Sequence, residues 1–266
     1  MRVMTPERDL NGRHVLLTGG SRGLGLAMAK EFATAGASLT LVARNREGLE
    51  KAAADVGGRA LVADLAVESD VDGLVQRAQD QAGAPVDVLV LNAAIDASGL
   101  FAEMTAEELR RLWLVNAVAT SELIRQARPL MATNGGGHIV VISSLSAQVA
   151  MPGLATYAAT KAAVSQLVFG VRTELRRDGI TTTVVEIGQA TTDLYAEARK
   201  HEPTARAFDR ANRMGLLRDL EPEEVARTVV AAVRRGKQHV VLPRRARFQT
   251  LLAHAPQMVA TRLFGG

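Results

Sequence analysis

Tyr157-Ala158-Ala159-Thr160-Lys161 sets a phenol and an ammonium four residues apart. On a helix that spacing brings both side chains to one face. A phenol has an ordinary pKa of about 10, too high for ready proton exchange at neutral pH. A nearby ammonium favours the phenolate and brings the group toward its working range. Ser144 stands 13 residues before the tyrosine, just after an apolar run, where its hydroxyl could hydrogen-bond and orient a substrate oxygen. Taken singly, these residues also read as an exposed helix pair and a turn serine. The tyrosine carries more weight than usual because the chain has two tyrosines and 3% aromatic residues. The other, Tyr195, lies in a polar stretch and reads as pocket wall or surface.

A second constellation precedes it in the chain. Thr18-Gly19-Gly20-Ser21-Arg22-Gly23-Leu24-Gly25 follows an apolar run and opens a helical stretch. Glycines allow a tight turn and a close approach of phosphate to backbone, and a helix N-terminus offers unpaired N–H groups and the positive end of a dipole. Gly19, Gly23 and Gly25 are not spaced as G-x-G-x-x-G, and an ordinary glycine-rich strand–helix turn would look the same. Further on, the second strand ends at Ala43-Arg44, without the carboxylate that takes the ribose 2′-hydroxyl of NAD. Arg22 and Arg44 offer guanidiniums that suit a 2′-phosphate, which favours NADP(H) over NAD(H). Arg44 could equally be a solvated loop charge. Asp64-Leu65, after the third strand, could contact adenine, or Asp64 could initiate a helix.

The elements that must position these residues alternate. Strands are expected at His14–Thr18, Ser38–Ala43, Arg59–Ala63, Val86–Leu91, Ile139–Ile142, Thr182–Ile187 and His239–Leu242. Helices are expected at Leu24–Ala35, Glu47–Val56, Ser69–Gln81, Ala106–Met131, Ala155–Arg177 and Pro222–Arg235. The strands lack polar alternation, so both faces are buried and the sheet is parallel with helices on either side. The fold class is therefore α/β, a doubly wound parallel sheet of the Rossmann type. No linker, low-complexity tract or internal repeat divides the 266 residues, and one domain spanning 1–266 is expected.

Composition removes several alternatives. The chain has no cysteine, which excludes disulfides, cysteine-ligated metal centres and thiol catalysis. His14, His138, His201, His239 and His254 are scattered, so no metal site is expected. Charge is uneven: from Arg199 onward there are 14 basic and 6 acidic residues, within a chain of net charge +4. Those basic residues form no single block and have no aromatic platform, so nucleic acid is not an expected partner. Neither a signal peptide nor a run of about 18 apolar residues is present, and the cytoplasm is the default location.

Taken in order, TGGSRGLG, Asn92-Ala93-Ala94 after the fourth strand, Asn116 in the following helical stretch, Ser144, and Tyr157 with Lys161 resemble the short-chain dehydrogenase/reductase family from about Gly12 to Leu242. The resemblance implies hydride transfer between a nicotinamide and a carbonyl or secondary alcohol, with Tyr157 as proton donor and Ser144 orienting the oxygen. It further implies that Lys161 holds the nicotinamide ribose, that Asn116 positions a water in a proton relay, and that Thr192 binds the carboxamide. The expected catalytic set is Asn116, Ser144, Tyr157 and Lys161. The expected cofactor set is Gly19, Ser21, Arg22, Gly23, Leu24, Gly25, Arg44, Asp64, Leu65, Asn92, Ala93, Tyr157, Lys161, Gly188 and Thr192.

Two positions depart from the family pattern. Ala94 replaces a glycine, which would be strained if φ there were positive. Ile187 replaces a proline and would leave its loop less constrained. The polar segment 191–220 stands where the family carries a substrate loop. There Leu194, Tyr195, Phe208, Met214, Leu216 and Leu217 could line an apolar pocket or pack on the sheet. The substrate expected is a moderately hydrophobic carbonyl or alcohol. Homodimers or homotetramers are the family's habit, with Val164, Leu167, Val168 and Val171 as a plausible contact face. The extension 243–266 joins Arg244, Arg245 and Arg247 to Phe248, Leu251, Leu252 and later apolar residues. It could pack on the fold, cover the active site, meet a partner subunit or lie on an anionic membrane surface. A non-catalytic NADP(H) sensor, or an epimerase or dehydratase on the same fold, are the rival functions.

Overall fold

The computed structural model describes residues 7–246 apart from Ala97, Ala150, Met214, Leu216 and Leu217. Strand β1 (His14–Thr18) leads into helix α1 (Gly23–Thr34), then β2 (Ser38–Ala43), α2 (Arg46–Asp55) and β3 (Arg59–Val62). Two helices follow, α3 (Glu68–Val71) and α4 (Leu74–Ala82), before β4 (Val88–Leu91). Next come α5 (Ala106–Trp113), a π-turn at Leu114–Val118, α6 (Ala119–Thr133) and β5 (Gly137–Ser144). The long α7 (Ala155–Arg177), β6 (Ile180–Ile187), α8 (Asp193–Ala198), α9 (Glu202–Arg213), α10 (Pro222–Arg234) and β7 (His239–Leu242) complete the order.

All seven strands run parallel, in the order β3-β2-β1-β4-β5-β6-β7. The period-2 alternation of a strand divides its apolar residues between two cores. Val15 and Leu17 of β1, with Val88 and Val90 of β4, pack under α1, α2 and α10. Leu16, Leu89 and Leu91 point to the opposite face, against α4, α6 and α7. Both faces are covered, so the strands read as unbroken apolar runs. The chain winds outward from β1 to β3, then returns to place β4 beside β1. Loops leaving the carboxyl ends of β1 and β4 part in opposite directions and open a crevice there.

Several expectations need correcting. The helix expected at Ser69–Gln81 is split because Gly73 adopts a left-handed conformation (φ +62°), which ends one helix and begins the next. The helix expected at Ala106–Met131 is interrupted by the π-turn, and β4 begins at Val88 rather than Val86. Strands β5 and β6 are longer than expected, so Ser144 is the last strand residue rather than the first beyond it. The polar stretch after β6 forms α8 and α9. Val164 and Val168 are buried in the core between α7 and the sheet, so they are not available as a subunit contact face. Ala94 is unstrained, since among the described residues only glycines have positive φ. Ile187 is not in a loosened loop: it is the last ladder residue of β6, and the following Gly188 N–H donates to the Leu242 carbonyl at 2.8 Å. Residues 247–266, including Arg247, Phe248, Leu251 and Leu252, lie outside the described residues, as do Met214, Leu216 and Leu217. Among the described residues no helix is long and apolar enough to cross a membrane.

Candidate active site

The crevice at the carboxyl edge of the sheet is a cleft of about 670 Å3. Its floor begins with the turn from β1 into α1. Arg22 is the N-cap of α1 but its side chain caps nothing, so first-turn N–H groups remain for an anion. The turn is packed backbone to backbone: a Cβ on Gly25 would stand 1.9 Å from the Gly19 carbonyl oxygen, so no side chain fits there. Asn92, after β4, fastens this turn by donating from Nδ2 to the carbonyls of Thr18 (3.1 Å) and Gly19 (3.3 Å). Thr18 Oγ1 accepts in return from the N–H groups of Asn92 and Ala93. Gly19, Ser21, Gly23 and Leu24 line the same floor, with Gly23 close to Thr192 across the mouth. This shape and its free N–H donors fit a dinucleotide pyrophosphate.

The adenosine end lies past β2 and β3, where Arg44, Asp64 and Leu65 line the cleft. Asp64 is already committed. Its Oδ1 accepts from the Ala66 N–H at 3.0 Å, and its Oδ2 pairs with Arg111 at 3.0 Å. Burial pushes its carboxyl up, but the Ala66 N–H, Arg111 and Arg44 together hold it below the usual range. Arg22 does not point toward Arg44. It forms an exposed 2.7 Å ion pair with Asp193, the first residue of α8, across the mouth of the cleft. Gly188 and Thr192 line the opposite wall. Thr192 is the N-cap of α8, its Oγ1 accepting from the Tyr195 N–H.

Tyr157 and Lys161 occupy the first two turns of α7 and share the face turned to the cleft. Strand alternation supplies the rest. Ser143 turns toward α7, where its hydroxyl meets Ser165 Oγ at 2.7 Å and donates to the Lys161 carbonyl at 3.2 Å. Ser144 turns the other way, into the cleft, and is hydrogen-bonded to Tyr157. Ser144 Oγ also accepts from the Ser146 N–H (3.1 Å) and hydroxyl (2.9 Å). The Lys161 side chain is buried, donates from Nζ to the Ile142 carbonyl at 2.9 Å, and stands 5.8 Å from the centre of the Tyr157 ring.

The electrostatics depart from expectation. Burial pulls the Lys161 ammonium down to about 8. Burial, reinforced by the nearby Asp96 carboxylate, pushes the Tyr157 phenol above its ordinary value, and the hydrogen bond with Ser144 offsets this only in part. The expected lowering of the phenol by Lys161 is not found: burial of the phenolate and the charge of Asp96 raise it, and the one lowering influence is the hydrogen bond with Ser144. The phenol is therefore held protonated at neutral pH.

Asn116 is buried in the π-turn and is absent from the cleft wall. Its Oδ1 accepts from the Ile95 N–H at 2.9 Å, while Nδ2 donates to the Ile95 carbonyl (2.9 Å) and to Thr160 Oγ1 (3.2 Å). The amide thus ties the loop after β4 to α7 between Tyr157 and Lys161.

The far half of the cleft is apolar. Leu145, Met151, Leu154, Tyr195 and Phe208 form one cluster, with the Tyr195 and Phe208 rings 5.2 Å apart. Leu194 also lines the wall. Two residues escaped the sequence reading. Asp96 stands in the wall beside Tyr157, and the one available signal was an acidic residue directly after the Asn92-Ala93-Ala94-Ile95 loop. Gln189, next to Gly188, buries a side-chain amide for which the described residues provide no hydrogen-bond partner. Nothing in the sequence marked it.

The short chain dehydrogenase family model matches residues 13–203. The chain belongs to the short-chain dehydrogenase/reductase family. As a member it is an NAD(P)-dependent oxidoreductase that uses a nicotinamide cofactor and acts on small molecules. It is similar to the ketoacyl reductase HetN of Nostoc sp., with 33% identity over 239 residues, covering 88% of this chain and 79% of that protein. A short-chain dehydrogenase from Sphingobium yanoikuyae in complex with NADPH matches with a TM-score of 0.79 and 28% identity, over 93% of this chain and 95% of its own. Another short-chain dehydrogenase, from Streptomyces avermitilis, matches with a TM-score of 0.77 and 29% identity over 94% of both chains.

Proposed function

We propose that this short-chain dehydrogenase/reductase is an NADPH-dependent carbonyl reductase for moderately hydrophobic ketones. The observation that carries the reading is the union, in one cleft, of a Tyr157 bonded to Ser144 with a glycine turn opening α1, whose first-turn N–H groups are left uncapped by the Arg22 side chain. When bound, the nicotinamide supplies the hydride. Ser144 holds the substrate carbonyl oxygen, and Tyr157 Oη gives that oxygen its proton. The phenol is protonated at neutral pH, the form from which a reduction takes its proton, although burial and Asp96 raise it away from the range that suits rapid transfer. Lys161, fixed on the Ile142 carbonyl, sets a cation beside the nicotinamide ribose hydroxyls. Asn116 acts as a positioning residue: it locks the Ile95 backbone and Thr160, which fixes the loop after β4 against the helix that bears the phenol. The water relay implied by family resemblance has no support from its amide, which is engaged by protein groups.

Preference for NADPH rests on Arg44 at the end of β2 and on the absence of an acid there; Arg22 lines the same cleft but is engaged by Asp193. The NADPH carried by the Sphingobium yanoikuyae relative supports the same choice. The test is a panel of ketones run with NADPH and NADH side by side. Faster oxidation of NADPH with a hydrophobic ketone is expected. No measurable binding of NADPH by fluorescence titration, or equal rates with both cofactors, would overturn the function or the preference respectively.

A further inference from the structure

Among the described residues, three carboxylates reach the substrate half of the cleft: Asp96, Asp193 and Glu197. Asp193 is paired with Arg22 at 2.7 Å and Glu197 with Lys200 at 2.5 Å, and both pairs are exposed at the mouth. Asp96 differs in place and surroundings. It is partly buried, its Oδ2 accepts from Ser98 Oγ, and it lines the same cleft as the phenol that must touch the substrate oxygen, on which its charge acts. Its position is fixed, because the preceding Ile95 is clamped at both N–H and carbonyl by the buried Asn116, which also holds α7 through Thr160. The wall beyond is the apolar cluster of Leu145, Met151, Leu154, Tyr195 and Phe208.

A carboxylate kept at the edge of an apolar pocket carries a desolvation cost that a ligand cation can offset through charge-assisted hydrogen bonds. Resting on the reductase reading above, we propose that Asp96 selects the substrate: a ketone with a protonated amine beside its carbonyl and an apolar chain beyond. The amine sits on Asp96, the carbonyl oxygen on Tyr157 and Ser144, and the chain against Leu154 and Phe208. The amine is placed on the carbonyl side of the chain because Asp96 and Tyr157 line the same cleft and the carboxylate acts electrostatically on the phenol. In the reaction the carbonyl carbon gains the hydride from NADPH and its oxygen gains the Tyr157 proton. The products are an amino alcohol and NADP+, and the amine keeps its proton throughout.

The experiment compares three ketones of equal chain length carrying an amine, a hydroxyl or hydrogen on the carbon next to the carbonyl. Wild type is expected to favour the amine, with kcat/KM roughly 10- to 100-fold above the hydrogen analogue, as for a hydrogen bond between charged groups. Asp96→Asn should cut that ratio at least tenfold, mostly through KM. Preference for the hydroxyl or hydrogen compound, or an Asp96→Asn ratio equal to wild type, overturns the proposal. The wild-type ranking needs no variant and stands if Asp96→Asn fails to fold. A second readout is independent of turnover: calorimetric binding of dodecylammonium against dodecanol. Selective loss of the ammonium in Asp96→Asn, together with failure to reduce any ketone, would keep the cation site and reject the reductase reading. Equal binding of both probes by wild type rejects the cation site.

Discussion

The two halves of the cleft are made of different materials. On the cofactor side the surface is main chain: the turn between β1 and α1, stitched to the loop after β4 by Asn92, with no space for a Cβ at Gly25. On the substrate side it is side chains, those of α8 and α9 packed against Leu145, Met151 and Leu154 from the segment before α7, with α8 and α9 joined by ring packing and exposed ion pairs such as Arg199–Asp209. The first half is set by the carboxyl ends of parallel strands and has little freedom to vary. The second hangs on two short helices whose exposed pairs contribute little stability, so it can change chemistry without disturbing the sheet. Tyr157, Lys161 and Ser144 stand at the seam, fixed by β5 and α7 rather than by either half.

The largest expected effect tests the seam. Tyr157→Phe removes the proton donor and nothing else in the cofactor half, so kcat should fall by roughly 10²- to 10⁴-fold. The Kd for NADPH, read by fluorescence, should stay within about twofold of wild type on the same argument, that only the hydroxyl is lost. Wild-type turnover in this variant would show that the seam does not carry the chemistry.

Lys161 tests the seam by stability. Its folded pKa of about 8 lies below the ordinary 10.5 of a lysine. Below pH 8 the side chain is charged in both states and the burial penalty is fully present. Between pH 8 and 10.5 the folded state releases the proton while the unfolded chain keeps it, so stability rises with pH through that window. The shift corresponds to about 3 kcal/mol at most. Relative to wild type, Lys161→Met should therefore be best placed near pH 7 and lose that advantage by pH 10.5, measured by urea unfolding of both proteins. A difference independent of pH across the window would mean that the ammonium is better solvated than its burial implies.

Within the cofactor half, Arg44→Asp replaces an attraction for the 2′-phosphate with a repulsion. The ratio of kcat/KM for NADPH over NADH should fall by roughly 10- to 100-fold, the range for a charged hydrogen bond. An unchanged ratio would locate the preference elsewhere, with Arg22 the next to test.

Much of this was legible in the residues. Runs buried on both faces gave β1, β2 and β7 their observed ends, and α7 begins and ends where its apolar spacing and flanking turn residues predict. All of the expected cofactor residues and three of the four expected catalytic ones line one cleft. What escaped depends on distance and dielectric. The π-turn holding Asn116 inserts one extra residue into a helical ladder and leaves no compositional mark. The partners of its amide lie 21 and 44 residues away in the chain. The Tyr-x3-Lys spacing correctly placed a cation near the phenol. It could not reveal that burial and Asp96 would push the phenol the opposite way, because Asp96 reaches Tyr157 only through the fold.

The smallest expected effect lies where the two halves touch. Arg22 belongs to the cofactor turn and Asp193 to the substrate helix α8, and their 2.7 Å pair crosses the mouth with both side chains largely exposed. A 2′-phosphate arriving at the turn would compete with Asp193 for the same guanidinium. Asp193→Asn frees Arg22, so NADPH affinity should rise, but by no more than about fivefold, since exposed ion pairs contribute little. The gain should be clear at low salt and fade toward about 0.5 M, where screening shortens to a few ångströms. NADH, without the extra phosphate, serves as the control and should gain less. Equal gains for both cofactors would mean that Asp193 acts only through the general charge of the cleft. No gain at low salt would mean that the pair does not compete with the cofactor, and that the two halves bind their ligands independently at this contact.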